Sequence, residues 1–209
     1  MTRTPVLEVS DLSLSFGGLD VLSDIRFSVD GPELVALIGP NGAGKSTTIR
    51  FLATLLKPTS GEGRIAGHSV TQDPMAVRRV IGFMPDDFGV YDGMKVWEFL
   101  DFFAVAYEIP RLQRRRIIGE VLQLLDLTHK RDDYVNGLSR GMKQRLCLAK
   151  TLVHDPPVLI LDEPTEGIQP SIIKDIAKAL NEIRKLRKIT IVVSEQVLSF
   201  ALDVADRLF

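Results

Sequence analysis

A nine-residue glycine-rich segment, GPNGAGKST at residues 39–47, constrains the fold of this chain more than any other feature. It follows a short apolar run, ELVALIG at residues 33–39, and it precedes a stretch from Lys45 to Leu56 with helical character. A buried strand, a glycine loop and a helix in this order form the context of a phosphate-binding loop. The sequence therefore predicts an α/β domain with an anion site where that strand ends.

The residue types in this loop suit a nucleoside triphosphate. Gly42 and Gly44 let backbone N–H groups curl around an anion without Cβ clashes, and the helix N-terminus adds partial positive charge. Lys45 is expected to contact the β- and γ-phosphates, and the Ser46 hydroxyl to ligate Mg²⁺. By itself the motif leaves kinases, GTPases and motor ATPases open. The predicted nucleotide-binding residues are Gly39, Pro40, Asn41, Gly42, Ala43, Gly44, Lys45, Ser46 and Thr47.

A second apolar strand, VLILDEP at residues 158–164, ends in two adjacent carboxylates. If it lies parallel to the strand before the phosphate loop, Asp162 arrives near the Mg²⁺ site. Glu163, one residue later, could then polarise the attacking water as a general base. The alternative is a strand that simply ends in acidic turn residues.

Strands and helices alternate along most of the chain, which favours a parallel sheet. Before the phosphate loop, apolar and polar residues alternate over residues 12–16, and a further strand is expected over residues 21–29. This pattern favours an antiparallel sheet with one solvent-exposed face. A β-like stretch is expected over residues 63–83. A mainly helical block from about Pro85 to Arg145 reads as an insertion. We therefore predict one domain, residues 1–209, with an N-terminal antiparallel β-subdomain and an inserted α-helical subdomain.

Three motifs in this order resemble the ATP-binding cassette (ABC) family, over nearly the whole chain. They are the phosphate loop, Leu138–Met142 (LSRGM, similar to the family signature LSGGQ), and Asp162–Thr165. The resemblance implies a P-loop NTPase, RecA-like core that binds ATP and Mg²⁺. It also implies a second cassette subunit: the signature loop of one subunit, here Ser139 and Gly141, contacts the γ-phosphate held by the other.

The resemblance suggests roles for positions at which this chain departs from the family. Asp86 stands where the family has a glutamine, and it could meet Mg²⁺ or water. Gln196 stands at the switch histidine position, where it could hydrogen-bond a γ-phosphate without carrying a charge. Gln169 replaces an aspartate. Phe16 lies where the family stacks an aromatic ring on adenine, with a core strand residue as the alternative.

The departures fall into two segments of the chain. Residues 86–164 look like exporter cassettes, whereas residues 165–208 look like urea or branched-chain amino acid importer cassettes. We therefore expect two subfamilies joined near residues 162–164. The chain also stops at Phe209, inside what looks like a strand, so we expect a truncated C-terminus.

The resemblance also implies a membrane permease partner, hence a cytoplasmic location at the inner face of the membrane. Aromatic residues gather around the insertion; we expect most of Trp97, Phe99, Phe102 and Phe103 in its core, and Phe88 and Tyr91 exposed. The 26 basic and 27 acidic residues argue against nucleic acid as a partner, and no apolar run is long enough for a membrane span. Weak or absent hydrolysis, or a non-transport clamp, remains the alternative function.

Overall fold

The computed structural model describes residues 5–87, 89, 91 and 93–209, which form two sheets and seven α-helices. The first sheet is antiparallel with strand order β2-β1-β4-β5. Inward-facing apolar residues such as Leu7, Val9 and Leu12 alternate with polar ones, so the sheet buries one face. Its strands are β1 (Leu7–Phe16), β2 (Leu19–Val29), β4 (Ser60–Ile65) and β5 (His68–Ser69).

The second sheet is parallel, with strand order β6-β7-β8-β3-β9. Its central strands are continuous apolar runs buried on both faces, as expected where layers cover a parallel sheet on either side. Carboxyl ends of parallel strands meet at one edge, and this edge carries the candidate site. The strands are β3 (Leu34–Ile38), β6 (Ile81–Met84), β7 (Val158–Asp162), β8 (Thr190–Glu195) and β9 (Arg207–Leu208).

Helices pack against both faces of the parallel sheet, and the sheet separates two apolar clusters of the core. The smaller cluster joins the two sheets through α1, and the larger one joins the parallel sheet to α3–α7. The helices are α1 (Lys45–Leu52), α2 (Pro74–Val80), α3 (Val96–Ala106), α4 (Arg111–Leu124), α5 (Arg140–Leu152), α6 (Pro170–Arg187) and α7 (Leu198–Val204). Within the described ranges, no helix has the length and apolar character needed to cross a bilayer.

The predicted fold class is confirmed, but one helix was missed and two element boundaries were wrong. The stretch at residues 63–83 contains α2, which Pro74 opens at its first turn and which buries only Val77, too little for a visible helical period. α1 ends at Leu52, and Thr54 adopts a left-handed φ of 63°. β2 begins at Leu19, because Gly17 and Gly18 form a tight hairpin turn with positive φ.

The predicted helical block contains α3, α4 and the start of α5. α5 runs past Arg145 to Leu152 and packs against β6. This helix therefore belongs both to the helical block and to the helices that cover the parallel sheet. The division of the chain at residues 85–145 stays a prediction.

The aromatic residues of the block separate into a core and a surface group. Phe99 is fully buried, and Trp97 and Phe103 are partly buried. Most of the four aromatic residues expected in the core therefore lie there, and Phe102 is the exception, since it is 46% exposed on the outer side of α3. Tyr91 is 52% exposed, as predicted, and its ring meets that of Phe102 edge to face at 5.6 Å. Phe88 lies outside the described residues.

Candidate functional site

The phosphate loop connects β3 to α1 and lies open at the carboxyl edge of the parallel sheet. Gly42 and Gly44 have φ of 84° and 86°, a conformation that favours glycine. A Cβ atom on Gly44 would also collide with the side chain of Leu22. No side chain caps α1, and its first turn contains no acidic residue. Its free N–H groups are therefore available to an anion.

Lys45 lies under the loop with its side chain almost fully buried. Its Nζ donates hydrogen bonds to the carbonyl oxygens of Gly39 (2.8 Å) and Pro40 (3.2 Å). The same atom lies 3.7 Å from Glu163 Oε1. The predicted phosphate-binding cation and the predicted general base therefore meet at the mouth of the loop.

Asp162 and Ser46 come together as the sequence predicted for a metal site. Ser46 Oγ donates to Asp162 Oδ1 at 2.9 Å, and Ser194 Oγ donates to the same oxygen at 2.6 Å. Asp162 Oδ2 is buried and has no hydrogen-bond partner among the described residues. Burial raises the pKa of Asp162, Asp86 raises it further, and the two serines and Arg50 oppose the shift.

This donor set fits Mg²⁺. Mg²⁺ usually takes one or two carboxylates together with substrate phosphates and water, so a large protein cage is not required. Within the described part of the chain, no cluster of three or more His, Cys, Asp or Glu side chains could hold a metal. The hydroxyl of Ser46 and the unpartnered oxygen of Asp162 offer the ligands that a phosphate-bound cation needs.

Glu163 adopts a left-handed φ of 45°, which is costly for a residue with a side chain and is characteristic of functional sites. Its N–H donates to the backbone oxygen and to Oγ of Ser194, both at 3.1 Å. Gln196 Nε2 donates to the two carboxylate oxygens at 3.0 and 2.8 Å. The turn thus directs the carboxylate towards Lys45, and the carboxamide of Gln196 holds it there.

The neighbouring Glu195 stands beside Gln196 at the switch position, but no role was predicted for it. It is only 2% exposed, and its Oε1 accepts from the N–H (3.0 Å) and hydroxyl (2.6 Å) of Thr165. Burial raises the pKa of Glu195, although these donors and the N–H groups of Val197 and Gln196 favour its charged form. An acidic residue at the end of the apolar strand TIVVSE was the available signal.

Asp86 lies close to the metal site, but its direct partner is a residue that the sequence did not single out. Arg50 Nη2 lies 3.2 and 3.4 Å from the two carboxylate oxygens of Asp86. Asp86 reaches this place because it follows β6, the neighbour of β7 in the sheet.

The signature residues stand at the start of α5. Ser139 caps the helix by accepting from the N–H of Met142 at 3.3 Å. Gly141 packs against α6, where an added Cβ would come within 2.8 Å of Ile172 Cγ2. Arg140 Nη2 donates to the backbone oxygen of Glu166 at 3.1 Å. Across the part of the chain that the structure describes, Ser139 and Gly141 form no hydrogen bond with the phosphate loop.

Phe16 ends β1 and is 50% exposed, whereas Leu12 and Leu14 before it are buried. The alternative of a core residue was therefore wrong, because the strand leaves the core at its last position. A ring exposed in this way can stack on a planar ligand; its role at adenine stays a prediction.

Comparisons with known proteins agree with this geometry. Residues 22–166 match the family model described as "ABC transporter". The bacitracin transport ATP-binding protein BcrA of Bacillus licheniformis is 34% identical over 201 residues, covering 96% of this chain and 65% of its own length. The arginine transport ATP-binding protein ArtM of Bacillus subtilis is 33% identical over 206 residues, covering 97% and 85%.

A solved structure, cbiO1 from Clostridium perfringens, described as part of the ABC transporter complex cbiONQ, has a TM-score of 0.90. It is 30% identical and covers 98% of this chain and 84% of its own. The chain spans about two thirds of the length of several curated relatives that it matches. These alignments extend across the predicted junction at residues 162–164. They do not show whether the segments before and after it resemble different subfamilies, so the junction stays a prediction. The chain belongs to the ABC transporter family, as a nucleotide-binding domain.

Proposed function

We propose that this chain is the ATP-binding and ATP-hydrolysing subunit that energises a membrane transporter. The observation that carries the proposal is the position of the Glu163 carboxylate. Gln196 holds it by two hydrogen bonds and Lys45 lies 3.7 Å away, at the mouth of the phosphate loop. A general base must lie within hydrogen-bond reach of the water that it activates, and this mouth is where a γ-phosphate would end.

In this proposal the chain's own residues bind ATP in a defined way. The N–H groups of the loop and of the α1 N-terminus cradle the phosphates, and Lys45 leaves the loop carbonyls to contact the β- and γ-phosphates. Ser46 and Asp162 would hold Mg²⁺, which would supply positive charge to neutralise the phosphates. Phe16 stacks on the adenine.

Glu163 accepts the proton of the attacking water, and the carboxamide of Gln196 orients Glu163 towards it. Gln196 was expected to bond the γ-phosphate directly. Its two bonds to Glu163 favour a positioning role instead, since its Nε2 is already engaged.

A second cassette subunit completes the site in this proposal. Ser139 and Gly141 lie at the N-terminus of α5, whose partial positive charge suits a γ-phosphate bound by the partner. ATP would then join two chains, either two copies of this one or this chain and a related subunit. The permease would dock near the exposed aromatic pair Tyr91 and Phe102, since exposed apolar patches mark interaction sites. That docking would place the chain at the cytoplasmic face of the membrane.

The test is the initial ATPase rate of the purified chain beside Glu163→Gln, with dimerisation measured in the same samples. Glu163→Gln removes the base but keeps a hydrogen-bonding side chain, so the rate should fall by about a hundred-fold or more. The variant should also accumulate as an ATP-bound dimer. A Lys45→Ala control should lose ATP binding itself. A rate that Glu163→Gln leaves unchanged would contradict the proposal.

A further inference from the structure

Arg50 lies on the same face of α1 as Ser46, because residues four apart on a helix are neighbours. Its Nε lies 3.9 Å from Asp162 Oδ2, and its Nη2 lies 3.2 Å from Asp86 Oδ2. One guanidinium therefore stands between two carboxylates that come from β7 and from the segment after β6. The arginine is half exposed, whereas the Asp162 side chain is fully buried.

Asp162 Oδ2 is the oxygen that most needs a cation. It is buried and accepts no hydrogen bond from the described residues, and an unpaired buried charge is costly. At 3.9 Å, Arg50 compensates it by charge alone and without a hydrogen bond. Towards Asp86 the same guanidinium is within hydrogen-bond distance of two oxygens, so Arg50 has a second acceptor for when it leaves Asp162.

We propose that Arg50 is an internal counter-ion of Asp162 and competes with Mg²⁺ for this carboxylate. This inference rests on the metal site of the proposed function. Bound nucleotide brings phosphate charge that draws the metal in, and Arg50 then pairs with Asp86 alone. In this proposal Asp86 binds Arg50 and is not a ligand of the metal. The chain without nucleotide binds free divalent cations weakly, and the metal enters together with ATP.

The experiment measures Mn²⁺ binding to the nucleotide-free chain by the electron paramagnetic resonance signal of free Mn²⁺. Arg50→Met removes the charge and keeps a long side chain, so Mn²⁺ affinity should rise by about ten-fold. Arg50→Lys keeps the charge and should stay within about two-fold of the parent chain. Arg78→Met is the matched control: it makes the same change in net charge on an exposed arginine of α2 that bonds Thr54.

The added Mn²⁺ must bind at this site, so Asp162→Asn in the Arg50→Met background should abolish the gain. Equal binding by the parent chain and Arg50→Met, including none by either, would overturn the proposal. An equal rise in Arg78→Met would also overturn it, because net charge would then be the cause. Mn²⁺ binding needs no nucleotide, so its result is independent of the ATPase test. If the parent chain hydrolyses ATP but Arg50→Met leaves the Mn²⁺ affinity unchanged, the role of Arg50 is rejected and the proposed function stands.

Discussion

Gln196 Nε2 donates to both carboxylate oxygens of Glu163, at 3.0 and 2.8 Å, across the gap between the ends of β8 and β7. A hydrogen bond to a charged group contributes about 1.5–3 kcal/mol. We expect Gln196→Ala to lower kcat for ATP hydrolysis by about ten-fold or more, because Glu163 loses its orientation. ATP affinity should change by less than about two-fold, since among the described residues Gln196 forms no hydrogen bond with the phosphate loop or with Lys45.

Gln196→Glu separates positioning from contact with phosphate. The new carboxylate faces that of Glu163, and like charges at this distance raise the pKa of one of them. The ATPase pH profile of Gln196→Glu should therefore shift towards higher pH, whereas that of Gln196→Ala should keep its shape at a lower rate. A loss of ATP affinity in Gln196→Ala, with kcat unchanged, would argue for direct phosphate contact instead.

The second prediction concerns the buried bond between Thr165 and Glu195. Thr165→Val keeps the side-chain shape but removes the hydroxyl that donates to Glu195 Oε1 at 2.6 Å. A buried carboxylate that loses a donor costs about 1–3 kcal/mol, so the free energy of unfolding in urea should fall by that amount. Thr165→Ser keeps the hydroxyl and should lose less. Equal losses in the two variants would mean that the methyl group matters, not the bond.

The sequence predicted those site residues whose position follows from a strand end. Lys45, Ser46, Asp162 and Glu163 follow or flank parallel strands, and parallel strands bring their carboxyl ends to one edge. Recognising the ends of the parallel strands was therefore enough to place them together.

Other contacts of the site depend on side-chain conformations and on the order of the strands in the sheet. Neither can be recognised as a pattern in a single sequence. Arg50 and Asp86 are 36 residues apart, and Thr165 and Glu195 are 30 apart. Predicting either pair would have required knowing that β6, β7 and β8 are neighbours. α2 was missed for a different reason: a seven-residue helix with one buried side chain has no measurable period.

The third prediction concerns pH and His154. Its ring stacks on Tyr107 at 3.7 Å, and its Nε2 lies 2.9 Å from the Ile81 carbonyl oxygen. Nδ1 is buried and has no hydrogen-bond partner within the described residues, so a proton there would be unpaired. Burial lowers the pKa of His154 below its ordinary value of 6.5, although Ile81 and Asp155 oppose the shift.

Because the folded pKa lies below the unfolded value, the neutral ring contributes stability that is present above pH 6.5 and lost as the pH falls. The free energy of unfolding should therefore decrease from pH 7 to about pH 5. His154→Phe keeps the stacking and should flatten this slope, at some cost at pH 7 from the unpaired Ile81 carbonyl. His129→Gln, at an exposed position, is the control and should keep the slope. An unchanged slope in His154→Phe would assign the pH effect to other groups.

The last prediction uses Cys147, the single cysteine, as a probe of transient unfolding of the chain. It is fully buried in α5, and burial raises the pKa of its thiol to about 11, although Lys150 opposes the shift. The thiolate is the reactive form, so a thiol reagent at pH 8 should label the native chain at least about a thousand-fold more slowly than the unfolded chain.

Labelling of Cys147 then reports nucleotide binding. α5, which contains Cys147, begins at the signature motif. A ligand that binds only the folded state lowers the population of unfolded chain by mass action, and so lowers the exposure of the thiol. MgATP at about a hundred times its dissociation constant should slow labelling about a hundred-fold if labelling requires global unfolding. A slowing in Glu163→Gln but none in Lys45→Ala would tie the effect to nucleotide in the phosphate loop. Fast stoichiometric labelling of the native chain would contradict the buried environment of the thiol.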